Sequence, residues 1–326
     1  MQERQFQKID TGSVTLRAVV EGDGPLIVMV HGWPESWYSW RHQIDPLVEA
    51  GYRVAAPDVR GYGGSDKPQA IEAYDMTSLT DDIAGLIDAL GETSAILIGH
   101  DWGAPIVWVT AIRYPGKVKA VAGLSVPHLG RGDRPTIEVF KQIYRDRFFY
   151  QLYFQKPGVA EAELEADPAA TIRKVYYSAS GDISDEERIK ANEGKGPDST
   201  LLEGAIDPDP LPAWLTGEDV AYYAGEFEQS GFRGPLNRYR NFQRDFEKLP
   251  ELSEKKITQP ALFIAGTRDP VLAFMPGVSL ADMMDPWYED LRGKVMIEGG
   301  GHWIQQEKPE ETNAALLKWL GDVRGG

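Results

Sequence analysis

A short stretch around residue 100 strongly limits how the rest of the chain can fold. An apolar run at 95–98 predicts a buried strand, and a helical pattern at 104–114 predicts a helix. Between them lies the turn Gly99-His100-Asp101-Trp102-Gly103. A glycine-flanked turn from a strand into a helix is typical of a nucleophile elbow, which holds its central side chain exposed above a sheet. The central residue is Asp101, and a carboxylate there can attack carbon and form an ester.

The same turn also fits a simpler interpretation, in which Asp101 is a solvated N-cap of the helix. The surrounding pattern helps to decide between them. Residues 5–20 predict a hairpin, and the following runs predict strands at 26–30, 52–58, 118–126, 261–265 and 294–297 and helices at 40–50, 79–90 and 309–320. Alternating strands and helices predict an α/β fold with a doubly wound, mostly parallel sheet. Catalytic loops then lie at the carboxyl ends of the strands.

Residues 129–245 break this alternation. The segment is aromatic, acidic and interrupted by prolines, and it contains a predicted helix at 160–166 but no good strand run. We interpret it as a helical cap inserted into the sheet domain. The predicted organisation is a core formed by 1–128 and 246–326, and a cap formed by 129–245.

Three residues at the ends of predicted strands form a catalytic pattern. They occur along the chain in the order Asp101, Asp269, His302, which is the order of nucleophile, acid and histidine in the hydrolases that use this elbow. An ester on Asp101 must be cleaved by water, and His302 is suited to be the base that activates it. Asp269 can orient the imidazole and stabilise its charged form.

The run His31-Gly32-Trp33-Pro34 follows the strand at 26–30 and predicts an oxyanion hole. A glycine turn after a strand can direct backbone N–H groups at a developing oxyanion. Because Pro34 has no N–H, the predicted donors are the backbone N–H groups of Trp33 and Trp102.

Together these motifs resemble the α/β-hydrolase-fold epoxide hydrolases of the soluble type. The resemblance extends over nearly the whole chain, and its most specific parts are two cap motifs, Tyr150-Gln151-Leu152-Tyr153-Phe154-Gln155-Lys156-Pro157-Gly158 and Ser230-Gly231-Phe232-Arg233-Gly234-Pro235-Leu236-Asn237-Arg238-Tyr239-Arg240. In this family two cap tyrosines hydrogen-bond the epoxide oxygen, and the motifs place them at Tyr150 and Tyr239. The neighbouring Tyr153 is assigned to packing within the cap.

The resemblance implies addition of water to an epoxide, giving a vicinal diol through an ester on Asp101. It implies that Trp102, Pro34, Tyr150 and Tyr239 contact the substrate and that no cofactor or metal takes part. We interpret His100 as structural. The expected partners are a small-molecule epoxide and water, and the chain is expected to be a monomer or a homodimer.

Composition excludes several other functions. The formal net charge of −16 argues against nucleic acid and anionic membranes as partners. The absence of cysteine excludes thiol catalysis and thiolate metal sites. The polar start of the chain and the lack of an apolar run near ~18 residues predict a cytoplasmic protein without a membrane span.

Three other functions share parts of this pattern. A haloalkane or haloacid dehalogenase uses the same fold and an aspartate nucleophile, but Trp33 stands where many haloalkane dehalogenases have asparagine. A serine esterase is disfavoured because Asp101 occupies the position of the serine. A non-catalytic ligand-binding member would more often lack a triad residue, and here all three are present.

Overall fold

The structure is a computed structural model, and it describes residues 4–275 and 277–325. Within these residues the strands are β1 Phe6–Asp10, β2 Thr15–Glu21, β3 Leu26–Val30, β4 Arg53–Pro57, β5 Ala95–His100, β6 Val118–Leu124, β7 Ala261–Gly266 and β8 Leu291–Ile297. The α-helices are α1 Arg41–Glu49, α2 Met76–Ala89, α3 Gly103–Arg113, α4 Thr136–Ile143, α5 Tyr150–Tyr153, α6 Val159–Leu164, α7 Pro168–Ala179, α8 Asp185–Asn192, α9 Gly217–Ser230, α10 Arg233–Tyr239, α11 Phe242–Lys248, α12 Ile304–Glu307 and α13 Pro309–Gly325. Short 3-10 helices occupy Trp37–Trp40, Ile71–Tyr74, Pro115–Lys117, Pro250–Ser253, Pro270–Ala273 and Asp285–Trp287.

The described strands form one sheet in the order β1-β2-β4-β3-β5-β6-β7-β8. The pairs β1–β2 and β2–β4 are antiparallel, and the other neighbours are parallel. The central strands β3 and β5 are buried along their whole length, as expected for strands covered on both faces. The predicted α/β fold with a doubly wound, mostly parallel sheet is therefore confirmed.

The end of β6 and the start of β8 differ from the predicted ones for physical reasons. Strand β6 ends at Leu124 rather than at residue 126, because Ser125 has φ of 69° and leaves the extended region. Strand β8 begins at Leu291, three residues before the predicted start at Lys294. It lies at the sheet edge and is only partly buried, so its first residues lack the apolar pattern of a buried strand.

The eight helices α4–α11 come between β6 and β7 in the chain. They lie against the loops at the carboxyl ends of the strands. Helix α9 makes part of this contact through polar pairs. Asp219 accepts a hydrogen bond of 2.8 Å from the Tyr38 hydroxyl, and Tyr222 accepts one of 2.7 Å from the Trp37 indole. These contacts hold the inserted helices over the edge of the sheet where the predicted site residues lie.

Candidate active site

Asp101 lies directly after β5 in a left-handed backbone conformation, with φ of 49°. This conformation is uncommon for a residue other than glycine, and close backbone packing imposes it here. A Cβ on Gly103 would lie 1.9 Å from the Val30 carbonyl oxygen, and a Cβ on Gly99 would lie 2.2 Å from the Gly103 carbonyl oxygen. The two glycines therefore let α3 start close against the sheet, as the elbow pattern predicts.

The side chain of Asp101 does not cap the helix. The N-cap residue of α3 is Trp102, which makes no side-chain capping hydrogen bond. Instead, Asp101 Oδ1 accepts a 2.7 Å hydrogen bond from the Trp33 backbone N–H, and Oδ2 lies 3.3 Å from His302 Nε2. Asp101 as a whole is 7% exposed. The interpretation of Asp101 as a solvated N-cap is therefore wrong.

His302 joins the two aspartates. Its Nδ1 lies 3.1 Å and 3.2 Å from the two carboxylate oxygens of Asp269, and its Nε2 faces Asp101. Asp269 follows β7, and its Oδ1 also accepts a 2.9 Å hydrogen bond from the Val271 N–H. The structure thus brings together three side chains that the sequence places at the ends of β5, β7 and β8.

The charge state of His302 is set by its two carboxylate neighbours. Burial disfavours the charged imidazolium, but the charges and hydrogen bonds of Asp269 and Asp101 outweigh burial and raise the pKa of His302 well above its ordinary value. Next to the two aspartates, His302 is therefore held as an imidazolium.

The backbone of His302 is fixed on both sides. Its carbonyl oxygen faces His100 Nε2 at 2.7 Å and accepts a 2.8 Å hydrogen bond from the Ser125 hydroxyl, while its N–H donates to the Ala179 carbonyl at 2.9 Å. The other ring nitrogen of His100 lies 2.8 Å from the buried carboxylate of Glu35. His100 therefore connects the turn that carries Asp101 to the loop that carries His302, in agreement with its interpretation as a structural residue.

Glu35 is a site residue that sequence reasoning missed. Besides facing His100, its carboxylate accepts hydrogen bonds of 2.7 Å from the Gly32 N–H and 3.0 Å from the Gln305 side chain. Burial raises the pKa of Glu35, but His100, His31 and the Gly32 N–H outweigh burial, and the pKa lies below its ordinary value. A glutamate directly after a turn that contains glycine and proline is expected to be solvated. Only its position next to the His31–Pro34 motif could have indicated that Glu35 belongs to the site.

The two predicted tyrosines lie together over Trp33. The ring centroids of Tyr150 and Tyr239 are 5.9 Å apart, and they lie 6.5 Å and 6.0 Å from the Trp33 ring. Burial and the nearby Asp101 carboxylate raise the pKa of Tyr150, and burial with the nearby Tyr150 and Asp101 raises that of Tyr239. Both hydroxyls therefore stay protonated near neutral pH, which suits hydrogen-bond donors.

One cavity contains most of the predicted site. Its described lining includes Asp101, His302, Tyr150, Tyr239 and Trp33, together with Phe149, Val271 and Phe274. Aromatic and aliphatic side chains form most of the wall. The arrangement places an aspartate carboxylate and a histidine at one end of an apolar cavity, beneath two phenol hydroxyls.

Two predicted substrate contacts lie outside this lining. The ring of Trp102 packs edge-on against Tyr239 at 5.2 Å and under the Arg238 guanidinium at 4.6 Å, so it lies behind the wall. Pro34 is buried next to α7, where its carbonyl accepts a 3.2 Å hydrogen bond from the Tyr176 hydroxyl. Contact of Trp102 and Pro34 with the substrate therefore stays a prediction that this lining does not support.

Tyr153, the alternative for the first tyrosine, donates a 3.0 Å hydrogen bond to Glu163 and is not among the described lining residues. His128, at the end of β6, also lies away from the site. It is buried against the rings of Trp287 and Tyr288.

In residues 4–275 and 277–325, no group of three or more histidine, cysteine, aspartate or glutamate side chains is arranged to hold a metal ion. None of the described helices is both long and apolar enough to cross a membrane.

Comparison with known proteins agrees with this geometry. A model of the alpha/beta hydrolase fold family matches residues 25–309. The chain is 47% identical over 316 residues to epoxide hydrolase A of Mycobacterium tuberculosis, and the alignment covers 96% of each protein. Its structure superposes on epoxide hydrolase A of Mycobacterium thermoresistibile with a TM-score of 0.90 and 46% identity, covering 98% of each chain.

A further structural match is an epoxide hydrolase from an endophytic Streptomyces, with a TM-score of 0.91 and 42% identity over 99% of this chain and 96% of that one. The chain therefore belongs to the epoxide hydrolases of the α/β-hydrolase fold.

Proposed function

We propose that this enzyme hydrolyses epoxides to vicinal diols in two steps, through an ester on Asp101. The observation that carries the proposal is that an elbow carboxylate and two cap tyrosines line the same apolar cavity. In this proposal residues 129–245 act as the cap that contributes Tyr150 and Tyr239.

In the first step Asp101 attacks one epoxide carbon and the carbon–oxygen bond of the ring breaks. The departing oxygen develops negative charge, which Tyr150 and Tyr239 stabilise by donating hydrogen bonds. A proton passes from this pair to the oxygen, so that the product is a neutral hydroxyl group on the ester. The Trp33 N–H lies 2.7 Å from Asp101 Oδ1 and holds that oxygen in place. The other carboxylate oxygen, Oδ2, is then free to attack the epoxide.

The second step uses the change in charge that the first step produces. Esterification of Asp101 removes one of the two anions that raise the pKa of His302. The Nε2 proton can then pass to the tyrosinate that the first step left, and the neutral imidazole accepts a proton from water while Asp269 holds Nδ1. Water attacks the ester carbonyl carbon, and the Trp33 and Trp102 N–H groups stabilise the oxyanion. Collapse of this intermediate breaks the bond between the Asp101 carboxyl carbon and the product oxygen. That oxygen takes the proton from His302, and the diol and free Asp101 are released.

A dehalogenase is supported less well by the same cavity. A leaving halide needs donors that converge on it within the site. Trp33 lines the cavity, but the indole ring of Trp102 lies behind its wall against Tyr239 and Arg238. The paired phenols, by contrast, suit an oxygen that stays attached to the product.

The proposal is tested by a single turnover of styrene oxide in ¹⁸O-labelled water with enzyme in excess. Because water attacks the ester carbonyl, the label should enter the Asp101 carboxylate, and the first diol released should be unlabelled. Mass spectrometry of the peptide that contains Asp101 measures this. Label found only in the diol would rule out the ester.

Two variants complete the test. Asp101→Ala should abolish diol formation, whereas Asp146→Asn, at an exposed carboxylate in the cap, should leave it unchanged. His302→Gln should form the ester but hydrolyse it slowly, so the mass of the Asp101 peptide should rise by the mass of the epoxide.

An intact haloalkane after incubation with the wild-type enzyme supports the epoxide assignment over a dehalogenase. The cytoplasmic location and the monomeric or homodimeric state stay predictions.

A further inference from the structure

The hydroxyl of Tyr150 accepts a hydrogen bond from the next residue in the chain. Gln151 Nε2 lies 2.9 Å from the Tyr150 oxygen. Gln151 is 8% exposed and is not among the described residues that line the cavity, whereas Tyr150 is. The amide therefore reaches the hydroxyl from outside the described lining rather than from the substrate space.

This contact does not follow from helix geometry. Tyr150 and Gln151 are consecutive residues of α5, and side chains at i and i+1 of a helix do not face each other. The Gln151 side chain therefore turns back to reach the hydroxyl, and its Oε1 is left buried without a hydrogen-bond partner among the described residues. A buried acceptor without a partner costs free energy, which indicates that the amide is kept for its N–H group.

The short helix that carries both side chains is tied to the second tyrosine. Gln155 Nε2 donates to the Gln151 carbonyl and to the Tyr239 carbonyl, each at 2.8 Å. Arg240, directly after Tyr239, donates from Nε to the Phe154 carbonyl at 2.9 Å. These bonds set the backbone of α5 relative to Tyr239, so Gln151 acts on a hydroxyl whose place in the site is already defined.

The hydrogen bond from Gln151 leaves the Tyr150 proton available. A phenol has one proton to donate, and its oxygen can also accept. The Gln151 N–H takes an acceptor position of this oxygen, and the Tyr150 proton has no acceptor among the described residues. Burial and the Asp101 carboxylate raise the pKa of Tyr150, and the hydrogen bond from Gln151 opposes them. The same N–H therefore favours the anion that forms when the proton leaves.

We propose that Gln151 is a positioning residue for epoxide opening, which directs the Tyr150 proton at the epoxide oxygen and stabilises the tyrosinate left behind. As Asp101 attacks and the carbon–oxygen bond of the ring breaks, the proton moves to the departing oxygen. Its bonding electrons stay on the Tyr150 oxygen. This inference rests on the proposed function and adds a residue to its first step. The alternative is that Gln151 only fills buried space.

The test is Gln151→Met, which keeps the length of the side chain and removes the N–H. With styrene oxide, stopped-flow tryptophan fluorescence should show ester formation slowed by about tenfold, as expected for one hydrogen bond to a developing charge. Hydrolysis of the ester should keep its wild-type rate, because His302 activates the water. Gln243→Met is the matched control, since Gln243 is an exposed glutamine of α11 that bonds Glu247. It should change neither rate.

A double-mutant cycle shows whether Gln151 acts through Tyr150. In a Tyr150→Phe background the hydroxyl is absent, so adding Gln151→Met should slow ester formation no further. In a Tyr239→Phe background the Tyr150 hydroxyl is still present, so adding Gln151→Met should again slow it by about tenfold. A glutamine that only fills space would have the same effect in both backgrounds.

Gln151→Glu gives an independent measurement in a side chain of nearly the same shape. The ionised carboxylate accepts the Tyr150 proton instead of donating, so ester formation should be slower than in Gln151→Met. Protonation restores a donor, so the ratio of variant to wild-type rate should rise as pH falls from about 9 to about 5. Dividing by the wild-type rate at each pH removes the titration of Asp101 and His302, which both enzymes share. The ratio for Gln151→Met should stay flat.

The outcomes separate the two proposals. If wild-type enzyme forms the ester and Gln151→Met forms it at the same rate, the role of Gln151 is overturned and the proposed function stands. Equal slowing in the Tyr150→Phe and Tyr239→Phe backgrounds, or a flat pH ratio for Gln151→Glu, likewise overturns it. If wild-type enzyme forms no ester with styrene oxide, the proposed function itself fails.

Discussion

At the scale of single residues, the backbone conformation of Asp101 orients its carboxylate for the reaction. A left-handed conformation at a residue other than glycine costs ~1–3 kcal/mol and persists only when its surroundings impose it. Here the packing of Gly99 and Gly103 imposes it, and the Trp33 N–H fixes one carboxylate oxygen. The nucleophile therefore enters the reaction with its orientation already set, and little freedom is lost on attack.

The tyrosine pair gives a prediction at the same scale. The double variant Tyr150→Phe with Tyr239→Phe removes both hydroxyls while keeping the rings that pack on Trp33. Formation of the Asp101 ester should slow by at least about 10²-fold, because the developing alkoxide loses its donors. Stopped-flow measurement of the change in tryptophan fluorescence on mixing with epoxide gives this rate.

Tyr153→Phe is the matched control, since Tyr153 bonds Glu163 outside the described lining. It should leave ester formation unchanged. A near wild-type rate in the double variant would remove the tyrosines from the mechanism.

At the scale of elements, the loop from β8 to α12 is braced by one glutamate. Glu307 Oε2 accepts hydrogen bonds from the N–H groups of Gly301 at 2.9 Å and Gly181 at 2.8 Å, and Oε1 accepts one from Trp303 at 2.9 Å. Two of these donors flank His302, and the third belongs to the segment after α7. Burial raises the pKa of Glu307 to about 7, against the effect of these N–H groups.

We expect Glu307→Gln to slow hydrolysis of the ester while leaving its formation intact. Glutamine has one acceptor oxygen, so its NH₂ group must face at least one of the three N–H donors, and the loop that carries His302 shifts. A misplacement of this kind costs about 10²-fold in rate. Since kcat/KM reports steps up to ester formation, kcat and KM should fall together while kcat/KM stays constant.

The control is Glu310→Gln, an exposed glutamate in the first turn of α13, which should change neither constant. A fall in kcat/KM for Glu307→Gln equal to the fall in kcat would contradict a role confined to the second step.

At the scale of the whole molecule, local patterns were enough to predict the sheet and the three triad positions. Each triad residue follows an apolar run, and parallel strands bring their carboxyl ends to one edge. The direction of the Trp102 ring could not be predicted, because Arg238 and Tyr239 from a distant helix decide it. The burial of Glu35 could not be predicted either, because its partners His100 and Gln305 come from distant parts of the chain.

The buried side chain of His128 makes the free energy of unfolding depend on pH. It is buried against Trp287 and Tyr288 with Nε2 unpartnered among the described residues, and burial lowers its pKa from 6.5 to about 4. Between pH 6.5 and about pH 4, His128 binds a proton in the unfolded chain but not in the folded chain. The contribution of neutral His128 to the free energy of unfolding is therefore fully present above pH 6.5 and is lost as pH falls towards 4. The loss should reach about 3 kcal/mol. Urea unfolding between pH 7 and pH 4 should therefore show a shallower pH dependence in His128→Leu than in wild type, and equal slopes would contradict this role.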